Sequence, residues 1–138
     1  MKMKLFILIL ICTACTHIES KPTKVLFNIP VLVRSNIDEI VTTLGKPTFY
    51  PKPQNNQKSY CNYHKEGWEL SIRYYPKTRK VIDFFIFPYP GGYEYKNSKD
   101  VLRVGNLNAV AFDYVVVPGS ELYASPGTYT DVTVVPKF

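Results

Sequence analysis

Cysteine is scarce in this chain: three residues in 138, at Cys12, Cys15 and Cys61. Two of them fall within the first 15 residues, so the rest of the chain has Cys61 alone and no disulfide framework. Cys61 reads as a small buried hydrophobe. Histidine is equally sparse, and His17 and His64 do not make a metal site by number or spacing. No metal or other cofactor is expected. The sequence has no glycine-rich phosphate loop, no Gly-x-Ser-x-Gly and no Ser-x-x-Lys. It also has no basic run, because its lysines and arginines are scattered, and this argues against a nucleic-acid footprint. Long apolar stretches are missing too. Leu5 to Ile11 is too short for a transmembrane helix, which needs about 20 apolar residues.

That short run has a different use. Lys2 and Lys4 precede it, and Cys12, Thr13 and Ala14 follow as small uncharged residues. A charged start, an apolar core of roughly 7–15 residues and a small-residue cleavage site make a signal peptide. Cys12-Thr13-Ala14-Cys15 resembles the lipobox of bacterial lipoproteins, in which the cysteine is lipidated and becomes the first mature residue. The resemblance implies lipid attachment at Cys15 and residues 1–14 as the signal. The alternative is plain secretion, with cleavage after Ala14 and a free thiol that could bridge to Cys61. Lipidation is the preferred reading because the cysteine directly follows the small residues. One acyl chain binds a membrane only marginally, whereas several make attachment stable. Thr16 to Thr23 is polar and reads as a flexible tether, so residues 15–23 link the membrane to a domain at 24–138. Thr16 is not the acidic residue that retains some lipoproteins in the inner membrane, which favours the outer membrane.

Without the signal, 138 − 14 leaves 124 residues, the size of one domain. The 17 basic residues fall to 15 against 11 acidic ones, a net charge of +4.

One helix is well marked. Ile37, Ile40, Val41 and Leu44 form an apolar stripe at i, i+3, i+4 and i+7. Ser35 is a candidate N-cap with Asp38 three residues on, Gly45 supplies the stop and Pro47 forbids continuation. Ser59–His64, Trp68–Tyr74 and Lys80–Phe87 then read as strands of an antiparallel meander. Trp68, Leu70, Ile72 and Tyr74 face one way and Glu69, Ser71 and Arg73 the other. Pro88–Asn97 reads as a loop, Ser98 caps a second short helix over Lys99–Val104, and Ala109–Val117 and Thr128–Val135 are further strands. The fold class expected is α+β, a mainly antiparallel sheet covered by one or two short helices.

Chemistry is thin on this scaffold. Cys61 and His64 lie three apart on a strand, hence on opposite faces, too far for a nucleophile and its base. Asp83 shares a face with Val81, Phe85 and Phe87 by alternation. It is either an acid of raised pKa or, more simply, a carboxylate facing solvent or a neighbouring cation. No catalytic residue is assigned and no enzymatic activity is expected. The aromatic surplus is the better lead. Tyr50, Tyr75, Tyr89, Tyr93 and Tyr95 sit in Tyr/Pro/Lys loops, where they either pack over the sheet edges or gather into a binding surface for a protein, a glycan or a peptidoglycan strand. The strand Lys80–Phe87 is apolar on both faces, so Phe85 and Phe87 mark a second surface if nothing in the chain covers them.

Ser35-Asn36-Ile37-Asp38-Glu39-Ile40-Val41-Thr42-Thr43-Leu44-Gly45-Lys46-Pro47 resembles the helix and stop of BamE-like (SmpA/OmlA) envelope lipoproteins. The likeness covers residues 35–87, through the three-stranded meander. It implies a non-enzymatic, lipid-anchored accessory that docks on partner proteins at the outer membrane. The expectation is thus a protein-interaction or assembly module of the cell envelope, with a glycan- or peptidoglycan-binding lipoprotein as the alternative.

Overall fold

The computed structural model describes residues 24–53, 57–90, 96–119, 128–129 and 131–138. The signal, Cys15, His17 and the tether to Thr23 lie outside the described residues. The elements are α1 (Ile29–Leu32), α2 (Ile37–Leu44), β1 (Ser59–Lys65), β2 (Trp68–Tyr74), β3 (Val81–Pro88), β4 (Lys96–Asn97), α3 (Ser98–Val104), β5 (Tyr114–Pro118), β6 (Thr128–Tyr129) and β7 (Val132–Pro136). Five strands form one sheet in the order β1-β2-β3-β7-β5, every pair antiparallel, and β4 and β6 make a second, two-stranded sheet. The α+β architecture with its meander is the one the sequence predicts.

The marked helix forms where expected, but its cap is different. Asn36, not Ser35, accepts from the N–H groups of Asp38 and Glu39, at 2.9 and 3.1 Å. Glu39 Oε2 accepts from the Asn36 N–H at 2.8 Å and completes a capping box. Ser35 sits one residue too early, its N–H bonded to the Leu32 carbonyl at the end of α1. At the other end Gly45 has φ 84°, ψ −170°, a region open essentially to glycine alone. α1 was not expected from the sequence. It is a single turn with Pro30 in its first positions, where a missing N–H costs nothing.

All three helices lie on one face of the large sheet. Ile29, Leu32, Ile37, Ile40, Val101 and Val104 join Leu70, Ile72, Phe84, Ile86, Val132 and Val134 in one core. Two contacts fix the layer. The Tyr63 hydroxyl donates to the Gly45 carbonyl at 3.1 Å, and a Cβ on Gly105 would stand 2.7 Å from Ile86 Cδ1, so α3 ends tight against the sheet.

The strands depart from the sequence reading in several places: within the stretch expected as a loop, Pro88 ends β3 and Lys96–Asn97 forms β4, paired with Thr128–Tyr129. β5 begins at Tyr114 rather than Ala109, because the residues before it leave the sheet as a loop. The stretch Thr128–Val135 divides between the two sheets. The β2–β3 register shifts, with Arg73 opposite Asp83 and Tyr74 opposite Val81, leaving Ile82 unpaired. The shift turns Val81 into the core, so it does not share a face with Asp83 as simple alternation predicts.

Candidate functional site

The sheet face away from the helices carries the side chains that the core leaves over. The strand registers lay them out in rows. Asn62, Ser71, Phe85, Thr133 and Val117 run across all five strands, and His64, Glu69 and Phe87 form the next row. Arg73 and Asp83 lie on the opposite side of the central row. On this face Asn62, His64, Glu69, Ser71, Arg73 and Asp83 make a polar half, and Phe85, Phe87, Val115, Val117 and Val135 make an apolar half around Thr133.

The polar half is mostly paired within itself, although the buried Asn62 Oδ1 has no hydrogen-bond partner. Arg73 Nε donates to Asp83 Oδ1 at 2.7 Å, and its NH2 group pairs with Oδ2. The Asp83 carboxylate is almost wholly buried beneath the half-exposed guanidinium. The bidentate pair raises the Arg73 pKa from its ordinary value. Glu69 is also buried. Asn62 Nδ2 donates to its Oε1 at 2.7 Å, and His64 Nε2 meets its Oε2. Tyr89 stacks on the His64 ring with centroids 4.0 Å apart. Of the two readings for Asp83, the ion pair is the one observed.

The apolar half is open. Val115, Val117 and Val135 are 45, 47 and 37% exposed, Phe85 and Phe87 are half-buried with rings 4.9 Å apart, and no helix or strand among the described residues lies over them. A hollow of about 280 Å³ lies between the halves, lined by Ser71, Arg73, Asp83, Phe85 and Thr133. β5 is also the edge of the sheet, with no strand beyond it among the described residues.

The tyrosines divide. Tyr50 and Tyr75 lie at one end of β2, where the Tyr50 hydroxyl accepts from Arg79 at 2.9 Å and its ring is 6.3 Å from Tyr74. Tyr89 lies at the other end, its N–H on the Gly67 carbonyl at 2.8 Å. The seven residues of β2 separate them by about 20 Å. Tyr75 and Tyr89 therefore do not line one groove. Tyr93 and Tyr95 lie outside the described residues. Phe85 and Phe87 do sit together, on the open face.

Cys61 is buried in the core and His64 points to the opposite face, as strand alternation requires. Burial pushes the Cys61 thiol up to about 12. No group of three His, Cys, Asp or Glu side chains among the described residues is arranged to hold a metal ion. No helix among them is long and apolar enough to cross a membrane.

Sequence reasoning did not single out Val115, Val117 and Val135. Alternation along Tyr114–Pro118 is legible, but valines occupy both faces, so periodicity alone cannot say which set is buried. Alternation puts Glu69 on this face but carries no sign that it is buried. No family model, curated protein or solved structure matches the chain.

Proposed function

We propose that this protein is a lipid-anchored, non-enzymatic module of the bacterial cell envelope that binds a partner protein through the open face of its large sheet. The observation carrying the reading is the row of exposed valines on β5 and β7 beside the Phe85–Phe87 pair, on a face with no described helix over it. A sheet normally buries such a face, and a contiguous uncovered apolar patch marks an interaction site. Ion-paired Arg73–Asp83 and the Asn62–Glu69–His64 cluster give that patch a polar rim, the usual anatomy of a protein interface. The lipobox-like Cys12–Cys15 supports the anchor and Thr16 the outer membrane. The likeness of residues 35–87 to BamE-like lipoproteins supports the accessory role. The separation of Tyr75 from Tyr89 favours a protein over a glycan, which needs its stacking rings along one groove.

The test is a pull-down of the lipidated protein from its own membranes, beside a Val117→Asp/Val135→Asp variant. Both positions are exposed, and a far-ultraviolet circular dichroism spectrum and urea midpoint like those of the wild type show that the variant is folded. The reading expects a specific envelope protein with the wild type and its loss with the variant. Equal recovery by both, or recovery of peptidoglycan fragments alone, contradicts it.

A further inference from the structure

The two most exposed large apolar side chains among the described residues are not on the sheet face. They are Val110 and Phe112, 92 and 89% exposed, both in the loop Asn108–Asp113 before β5. The loop is held from below. Leu107 is buried, its N–H on the Leu102 carbonyl at 2.8 Å, and the Asn108 N–H donates to the buried Tyr114 hydroxyl oxygen at 3.1 Å. Ala111, between the two exposed residues, packs against the core, and Lys137 Nζ donates to its carbonyl at 2.8 Å. Val110 and Phe112 thus project from a tied-down base.

The surroundings are cationic. Lys137 is tied to the loop, its N–H also bonded to the Asp113 carbonyl at 3.0 Å. Arg34 pairs with the Asp113 carboxylate at 2.7 Å and lies 5.3 Å from the centre of the half-exposed Phe138 ring. Lys80 lines the same hollow as Arg34 and Phe138. Arg34 and Lys137 therefore stand at the base of the apolar tip, Arg34 on the Asp113 carboxylate and Lys137 on the Ala111 carbonyl, with Lys80 in the hollow beside Arg34.

We infer that Asn108–Asp113 is a membrane-docking loop. Val110 and Phe112 enter the interfacial zone of the bilayer, and Lys137, Arg34 and Lys80 face anionic phospholipid headgroups. A protruding tip with separate side chains suits a fluid interface, whereas a protein interface is built from a packed, rimmed patch such as the open sheet face. The cations complement the negative surface that anionic lipids create. The inference rests on the anchor reading for the membrane's nearness: a tether of nine residues, Cys15 to Thr23, spans at most about 30 Å. Loop and anchor together would hold the domain in one orientation and leave the open sheet face for the partner.

The test uses the full chain on vesicles of phosphatidylcholine and about one third phosphatidylglycerol, with bromine on the acyl chains to quench tryptophan at membrane depth. Phe112→Trp is compared with Val117→Trp, against the background of native Trp68. The inference expects at least a twofold loss of Phe112→Trp emission on brominated vesicles and no loss from Val117→Trp. Absence of quenching at position 112 overturns it and leaves the loop as a protein contact. Quenching at 117 but not 112 overturns it in favour of the sheet face. The intact mass of the purified chain reports the anchor separately. A chain without acyl groups refutes the lipid on Cys15, while the loop is still read from quenching with vesicles in excess.

Discussion

Arg73 and Asp83 show how much one side chain can depend on another. Asp83 is buried, and the guanidinium of Arg73 supplies both of its charge-assisted hydrogen bonds. Removing the cation leaves a desolvated carboxylate without a counter-charge, which is worse than removing the pair. Because Arg73 is itself half-exposed, the cost falls below that of a fully buried pair. Arg73→Met is expected to lower stability by about 2 kcal/mol, read as a fall in the urea midpoint at unchanged slope. Cys61 gives a second residue-scale expectation. Buried and pushed up to about 12, its thiol stays unreactive toward thiol reagents at pH 8 in the folded protein and reacts fully once urea unfolds it. Rapid modification under native conditions would contradict the core placement. The sequence did suggest a buried Cys61, and for Asp83 it left a raised-pKa acid beside a carboxylate facing solvent or a neighbouring cation. It could not show that Arg73 was the partner, because the pair depends on the register between two strands.

At the scale of elements, α2 is the part of the fold most open to direct test. Asn36→Ala removes the capping box and is expected to cost about 1 kcal/mol, while Ser35→Ala changes little. The reverse order would restore Ser35 as the cap. Gly45→Ala is expected to cost 1–3 kcal/mol from backbone strain at φ 84°, with nothing nearby for the new methyl to clash with. Arg79 joins α2 to the β2–β3 turn by pairing with Asp38, and the hydrogen bond to Arg79 holds the Asp38 carboxyl below its ordinary value. A carboxylate lowered in the folded state stabilises above the unfolded value of about 4 and loses that contribution as pH falls through the folded one. The difference in urea midpoint between wild type and Arg79→Met is therefore expected to narrow on acidification from pH 6 to pH 3. The helix, its stop and the meander were legible because each has a local signal: an i, i+3, i+4, i+7 stripe, a glycine and a period of two. The first turn at Ile29–Leu32 was not, since four residues carry too little periodicity. The true start of β5 was hidden because Val110 and Phe112 look like strand residues in sequence and stand in solvent in the fold.

On the scale of the whole molecule, the helices occupy one side of a five-stranded sheet and the other side is left to polar pairs, two phenylalanines and three exposed valines. Both faces of β3 read as apolar in the sequence, so a second apolar surface was foreseeable there. That β7 and β5 extend it was not, because their neighbours are set by a crossover that no local pattern encodes. The dispersed tyrosines follow from the same topology: loops at opposite ends of a strand look alike in sequence and end up about 20 Å apart. The proposed function stands or falls on which face meets a partner. The most direct measurement is photo-crosslinking in living cells, with the crosslinking side chain placed at Val117 on the open face or at Thr43 on the exposed side of α2. The account predicts one discrete adduct with an envelope protein from position 117 and none from 43; adducts from 43 alone, or from neither position, would contradict it.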